Sequence, residues 1–197
     1  GYLNSVLAKD RNLGFSASVC FEQSYGFIDG DSASAAELIA IISAMSEIPI
    51  KQNFAITGSV NQMGDIQPIG GINEKIEGFY RTCKLIGKGT SYNVIIPHYN
   101  VSNLMLHKDL REDVKSGYLN IYPVKYIWQA FELISGIPLG IKDVNSKKFQ
   151  KGSALDIIKQ KLNKLYEEED KTNKINEDKK SFIKKTVVDK NAAKNRM

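Results

Sequence analysis

Two residues whose types suit nucleophilic chemistry stand 43 positions apart, Ser32 and Lys75. Ser32 lies in Asp29-Gly30-Asp31-Ser32-Ala33-Ser34, where an apolar strand hands over to an apolar helix. Lys75 closes the stretch Pro68-Ile69-Gly70-Gly71-Ile72-Asn73-Glu74-Lys75, three residues after Ile72 and four before Phe79. A serine hydroxyl is a weak nucleophile until a base takes its proton, and a neutral lysine amine is one such base. A serine on a tight turn and a lysine set into a helix's apolar face therefore form a candidate Ser-Lys pair for acyl transfer. Backbone N–H groups around Asp31 and Ser32, close to a helix N-terminus, are then suited to hold an oxyanion.

Each residue also has a plainer use. Ser/Asp-rich helix starts are mostly turns and caps. Here Ser34 and Glu37 have the S-x-x-E spacing of a capping box, which supplies the cap without Ser32 and leaves its hydroxyl free. A lone lysine on an apolar face commonly packs its methylenes and lets the ammonium escape to water. The functional alternative is that burial in the Ile72/Ile76/Phe79 stripe favours the neutral amine, which accepts a proton. Gly70-Gly71 either permits close backbone approach or is only a tight turn. Residue types alone leave both pairs of readings open.

The elements that must position these groups follow from periodicity. Alternation over 15–21 predicts a half-buried strand, followed by turn residues over 26–31. Leu38, Ile41, Ile42 and Met45 recur at helical spacing, with Pro49 as a stop. Residues 54–60 read as a strand forming a hairpin with 65–67, turned at Asn61 to Gly64. A helix over 71–85 carries Ile72, Ile76, Phe79 and Cys83 inward, with Glu77 and Arg81 paired on the solvent side. A buried strand at 93–97, a helix around 104–115 and a strand at 119–124 follow. A helix with Ile127, Ala130, Phe131 and Ile134 comes next, ended by Gly136 and Pro138. Strands and helices alternate, and the hairpin argues for a mixed sheet with packed helices.

Composition bounds the rest. The 197 residues, 42% of them apolar, suffice for one domain with a core and a tail. No apolar run reaches the roughly 18–20 residues of a membrane span, and no signal pattern opens the chain. Cys20 and Cys83 form no cystine framework, which points to a reducing compartment, most simply the cytoplasm. The net charge of +5 is uneven: residues 141–197 hold 16 basic and 9 acidic side chains, against 11 and 13 before them. The expected organisation is a domain over 1–140 and a basic, lysine-rich extension over 141–197. Within the extension, Ser153-Ala154-Leu155-Asp156 has capping-box spacing and starts one helix, 153–169. Leu155, Ile158, Leu162 and Leu165 line that helix, and a charged tail expected to be disordered follows. His98 and His107 lack partners at metal-ligand spacing, so no metal site is expected. Gly87-Lys88-Gly89-Thr90 lacks the phosphate-loop frame, and no ATP site is visible. Lysines mixed with glutamates are usually just solvated, so nucleic acid is a weak expectation as a partner.

Several blocks in register carry a resemblance. Asp29-Gly30-Asp31-Ser32-Ala33-Ser34 resembles the active-site serine motif of the Lon proteases, in the variant with Asp before the serine and Ser two after it. Thr57-Gly58-Ser59-Val60-Asn61-Gln62, Gln67-Pro68-Ile69-Gly70-Gly71 and Asn73-Glu74-Lys75-Ile76-Glu77-Gly78 are similar to that family's next blocks, in the same order. Phe21-Glu22-Gln23-Ser24-Tyr25 points to the B-type and related bacterial branch. The likeness runs from about residue 15 to 140. It implies a compact α+β protease domain, similar to a ribosomal-protein domain fold, assembled as a hexameric ring. It further implies Ser32 as nucleophile, Lys75 as general base, Thr57 as the hydroxyl orienting that lysine, and Asp29 as an acidic neighbour of the site. The substrates implied are unfolded polypeptides, with ATP and Mg²⁺ belonging to an ATPase module outside this chain. On this reading the chain is the distal part of such a domain. The competing expectation is a truncated, non-catalytic scaffold or interaction protein.

Overall fold

Tyr92–Pro97 is an uninterrupted run of buried residues, as a strand covered on both faces requires, and it forms the centre of the main sheet. The computed structural model describes residues 1–8, 16–20, 30–87, 91–141, 148–172 and 174. In chain order the named elements are α1 (Tyr2–Leu7), α2 (Ser34–Ser46), β1 (Phe54–Ile56), β2 (Ser59–Val60), β3 (Ile66–Gln67) and α3 (Ile72–Ile86). Then come β4 (Tyr92–Pro97), a 3-10 turn (His98–Asn103), α4 (Lys108–Ser116), β5 (Leu119–Val124) and α5 (Ile127–Ser135). The chain divides into two compact units, Gly1–Asp156 and Ile157–Met197.

In the first unit β1, β4 and β5 form a parallel sheet in the order β1-β4-β5, with Phe54 opposite Asn93 and Tyr92 opposite Leu119. Parallel neighbours need a crossover, and α3 and α4 lie within the two crossovers. The helices cover the sheet with Ile72, Ile76, Tyr80 and Cys83 from α3 and Leu110 from α4, packed on Val94, Ile96 and Leu119. Ile95 is fully buried on the opposite face of β4.

The expected strand over 54–60 breaks at Thr57-Gly58. Thr57 still donates its N–H to Ile95, but Gly58 turns the chain into β2, which pairs antiparallel with β3. A Cβ on Gly58 would stand 2.8 Å from Ile66 Cγ2, so the bend has room for glycine alone. Parallel and antiparallel pairing thus both occur, but in two separate sheets among the described residues rather than in one mixed sheet. The hairpin turn falls where expected: Asn61 Oδ1 accepts the N–H groups of Met63 and Asp65. The hairpin is tied to the β5–α5 junction, Ile66 donating to Lys125 and Ile127 to Gly64.

The helix expected around 104–115 starts later, at Lys108, and a 3-10 turn precedes it. Leu104 is extended, at φ −70° and ψ 119°, and Asn73 ties the segment to α3, its Oδ1 accepting the Met105 N–H and its Nδ2 donating to the Asn103 carbonyl. Helix α1 carries no periodicity long enough to read. It docks through Ser5 Oγ, which donates to the Gln62 carbonyl. Residues 16–20, in the expected strand over 15–21, are exposed and form no strand, having no sheet partner among the described residues. Residues 21–29, 88–90 and 142–147, and the tail from 175, lie outside the described residues.

Near the end of the first unit, Leu155 donates its N–H to the Leu139 carbonyl and Ala154 to that of Pro138. The Ser153–Asp156 cap forms in modified shape. Ser153 Oγ accepts the Asp156 N–H at 3.4 Å, while the Asp156 carboxylate reaches back to the Gly152 N–H at 2.9 Å. In the second unit, residues 157–172 are helical.

One polar cluster joins α3 to α4. Asp113 accepts from the Tyr80 hydroxyl at 2.5 Å and pairs with Lys84 at 2.9 Å. The Tyr80 hydrogen bond, and then that of Lys84, hold the Asp113 carboxyl below its ordinary value of 3.8. A depressed carboxylate stabilises the fold above its ordinary value and loses that contribution as pH falls through the depressed one. Asp113→Asn should therefore melt below wild type at neutral pH, and the gap should close as pH falls below the ordinary carboxyl value and through the depressed one. Thermal melts across that range check it.

Candidate active site

The segment bearing Ser32 is shaped by a glycine and held by a neighbouring bend. Gly30 adopts a left-handed φ of +82°, and a turn over Asp31–Ala33 leads into α2. The Ser32 carbonyl accepts two hydrogen bonds, from the Gly58 N–H at 2.9 Å and from Thr57 Oγ1 at 3.3 Å. In return, the Ala35 N–H donates to the Gly58 carbonyl at 3.1 Å. Ser59 Oγ donates to Asp31 Oδ2 at 2.6 Å, and the Val60 N–H donates to Ser34 Oγ at 2.9 Å. Five bonds thus fasten the serine turn to the four residues Thr57–Val60.

The expected Ser34–Glu37 capping box does not form. Ser34 is the first helical residue rather than the cap, and α2 has no side-chain cap. Its hydroxyl is taken by the Val60 N–H, because the bend at Gly58 brings β2 alongside the helix start. Ser32 is free of capping duty all the same.

Lys75 sits in the first turn of α3, whose opening bond runs from the Lys75 N–H to the Gly71 carbonyl. Gly71, at φ +66°, lets the chain enter the helix from a left-handed residue. From there Lys75 Nζ reaches Ser32 Oγ at 2.6 Å. The two residues singled out for chemistry are in direct contact.

Their surroundings differ from expectation in two respects. Lys75 is exposed, not buried in the helix stripe. The stripe runs through Ile72, Ile76, Tyr80 and Cys83, so the buried line has turned toward Tyr80 and left Phe79 half-buried beside Tyr92. Thr57, expected to orient the lysine, instead donates its hydroxyl to the Ser32 backbone. Asp31 is exposed and holds the turn through its side chain; Asp29 lies outside the described residues. Ser59, which anchors Asp31, is 6% exposed. Its place in the Thr57–Gln62 block was visible, but nothing in its spacing marked it as a partner of Asp31.

Ser32 and Lys75 open onto a cleft of about 380 Å³. Thr57 completes its polar side, and Ala36, Ile56 and Phe79 are among its apolar walls. Among the described residues no carboxylate lies within ion-pair distance of Lys75. None of those residues form a cluster of three or more His, Cys, Asp or Glu placed to hold a metal. His107 caps α4 and lies 3.6 Å from Glu77, which also meets Arg81 at 3.6 Å. His98 is exposed, stacked edge-on against Tyr99. Cys20 is exposed and Cys83 buried, and neither is in a disulfide. No helix among the described residues is long and apolar enough to cross a membrane.

An α/β scaffold that brings a serine hydroxyl and a lysine amine together in an apolar cleft defines a serine–lysine type of site. Residues 26–134, more than half the chain, match the family model described as Lon protease (S16) C-terminal proteolytic domain. The chain belongs to that family, as the motif resemblance implied. It is similar to proteins of Haemophilus influenzae and Escherichia coli provisionally named Lon protease homologs, at 46% identity over 134 residues and 47% over 133. Each match covers 68% of this chain, and 22% and 23% of the respective relative. An archaeal Lon protease of Methanocaldococcus jannaschii is 41% identical over 119 residues, 58% of this chain and 15% of the relative. The chain therefore spans about a fifth of the length of the curated relatives it matches.

The Ser34 hydroxyl gives a direct test of the stitching. Ser34→Ala strands the Val60 N–H and should cost about 1 kcal/mol, lowering the urea midpoint without changing the slope. A loss that moves only the midpoint fits a missing inter-element bond; no change at all means the bond contributes nothing.

Proposed function

We propose that this domain is a serine endopeptidase in which Ser32 is the nucleophile and Lys75 its general base. The observation that carries the reading is the 2.6 Å contact between Lys75 Nζ and Ser32 Oγ. Membership of the Lon proteolytic family supports it. Ser32 Oγ attacks the peptide carbonyl carbon as its proton passes to the neutral Lys75 amine. The carbonyl oxygen becomes an oxyanion, held by backbone N–H groups around Asp31 and Ser32 at the start of α2. Among the described residues the N–H groups of Asp31, Ser32 and Ala33 donate to no backbone carbonyl, which suits them to that task. The tetrahedral adduct collapses, Lys75 returns the proton to the departing amine, and an acyl-Ser32 ester remains. Water then attacks the ester, with Lys75 again taking a proton, and Ser32 is regenerated.

For the whole protein the proposal extends further. The finer fold is the family's α+β protease domain, similar to a ribosomal-protein domain fold. Its substrates are unfolded or damaged polypeptides, delivered in the cytoplasm by an ATP- and Mg²⁺-using module outside this chain. The assembly is a homo-oligomeric ring. Thr57 serves by holding the Ser32 backbone, and Asp29 remains the acidic neighbour the motif implies.

A non-catalytic scaffold is the second reading. The observation in its favour is the exposure of Lys75, which leaves the side chain in solvent rather than enclosed in the apolar stripe of α3.

A serine-directed fluorophosphonate separates the two. The chain should be labelled at Ser32. Ser32→Ala should abolish labelling and Lys75→Arg should slow it at least about 10²-fold, since a guanidinium stays protonated. Intact-mass spectrometry reads both, and undiminished labelling of Lys75→Arg would remove Lys75 from the mechanism.

A further inference from the structure

Lys75 reaches Ser32 only if α3 starts in one place. The start has no side-chain cap of its own, and Gly70 and Gly71 before it are both exposed. Two carboxamides hold it. Asn100, in the 3-10 turn after β4, is 3% exposed and pairs with both backbone groups of Ile69. Its Nδ2 donates to the Ile69 carbonyl at 2.9 Å, and its Oδ1 accepts the Ile69 N–H at 2.9 Å. Asn73, in the first turn of α3, makes the reciprocal clasp: Nδ2 donates to the Asn103 carbonyl at 3.0 Å and Oδ1 accepts the Met105 N–H at 2.8 Å. Each amide acts as a one-residue strand partner, and together they fix Ile69–Asn73 against residues 100–105.

We propose that Asn100 is a positioning residue that sets where α3 begins and thereby holds Lys75 against Ser32. Its consequence for the reaction rests on the function proposed above; the contact itself does not. The site demands one donor and one acceptor on the same planar group, buried, at fixed separation. A carboxamide supplies both, a protonated carboxyl of the same shape supplies both, and an ionised carboxylate supplies acceptors only. At 2.6 Å the Lys75–Ser32 bond has little slack: a shift of about 1 Å at the helix start carries it past hydrogen-bonding distance.

The test uses the full chain with ¹³C-labelled lysine. Its readout is the change that Ser32→Ala causes in the Lys75 Cε resonance, which reports the contact without requiring catalysis. With Asn100 present, Ser32→Ala should shift the resonance. With Asn100→Leu the response should vanish while thermal melting still shows a cooperative fold. With Asn100→Asp it should be present at low pH and disappear as the introduced carboxyl ionises, a switch the Asn100 protein does not share. Should Asn100→Leu fail to fold, the Asn100→Asp titration alone decides. Fluorophosphonate labelling of Ser32 should slow about 10- to 100-fold in Asn100→Leu at saturating probe. A merely structural Asn100 would lower the melting temperature and leave the Lys75 response intact, which overturns the proposal. So would a pH-independent response in Asn100→Asp, or no response to Ser32→Ala when Asn100 is present. Absence of labelling with the Lys75 response intact would instead overturn the peptidase reading and leave the positioning role standing.

Discussion

The Ser32 carbonyl is the point on which the site hangs. It takes the Gly58 N–H and the Thr57 hydroxyl at once, so the Ser32 turn is fixed to the bend leaving the parallel sheet. A carbonyl has two lone pairs, and using both removes the freedom that a serine in an open turn would otherwise keep. The bend is itself forced. Thr57 still belongs to the sheet through its bond to Ile95, and one residue later Gly58 must pass within contact of the buried Ile66. Sheet, bend and serine turn form one continuous chain of hydrogen bonds.

The second half of the pair arrives by topology. A parallel neighbour for β1 requires the chain to leave and return on the same side, and α3 is the helix of that crossover. Packing Ile72 and Ile76 on Val94 and Ile96 sets the depth of α3 over the sheet. The Lys75 side chain then projects from the helix's first turn toward the segment leading into α2, where it meets Ser32. The axial position of α3 is fixed by that packing together with polar contacts along the helix, those of Asn73 at its start and of Tyr80 and Lys84 with Asp113 further on.

Much of this was legible in the sequence, for identifiable reasons. β4 and α5 were read within a residue or two because their burial follows a continuous run and a clean helical period. Ser32 and Lys75 stood out as a candidate pair by residue type and neighbouring motif, and the structure brings them into contact; their roles came from the family resemblance, not from spacing. What failed depended on partners distant in sequence. The Ser34–Glu37 box is a sound local pattern, but Val60, 26 residues away, takes the hydroxyl. The burial of α3 turned by one residue because Tyr80 has Asp113 to receive its hydroxyl, which lets it be buried where Phe79 was expected. The helix after β4 starts late because Leu104 is extended, in a segment that Asn73 of α3 ties down at Asn103 and Met105. Local rules lose where a side chain from another element satisfies the same donor or acceptor.

The exposure of Lys75 constrains any chemistry at the pair. In the contact as it stands, the ammonium donates to Ser32 Oγ; proton abstraction needs the reverse, a hydroxyl donating to a neutral amine. Water over the cleft favours the first arrangement by solvating the charge. Anything that replaces that water with apolar groups favours the second, and an extended polypeptide lying along Ala36, Ile56 and Phe79 would do so. The same covering would strengthen the hydrogen bonds from the α2 N–H groups to a developing oxyanion, because fewer waters would compete for them. On the proposed mechanism, base activation and oxyanion stabilisation would therefore both respond to occupancy of one surface. A cleft with an exposed lysine at one rim and apolar walls beyond it would, on that mechanism, react best when filled.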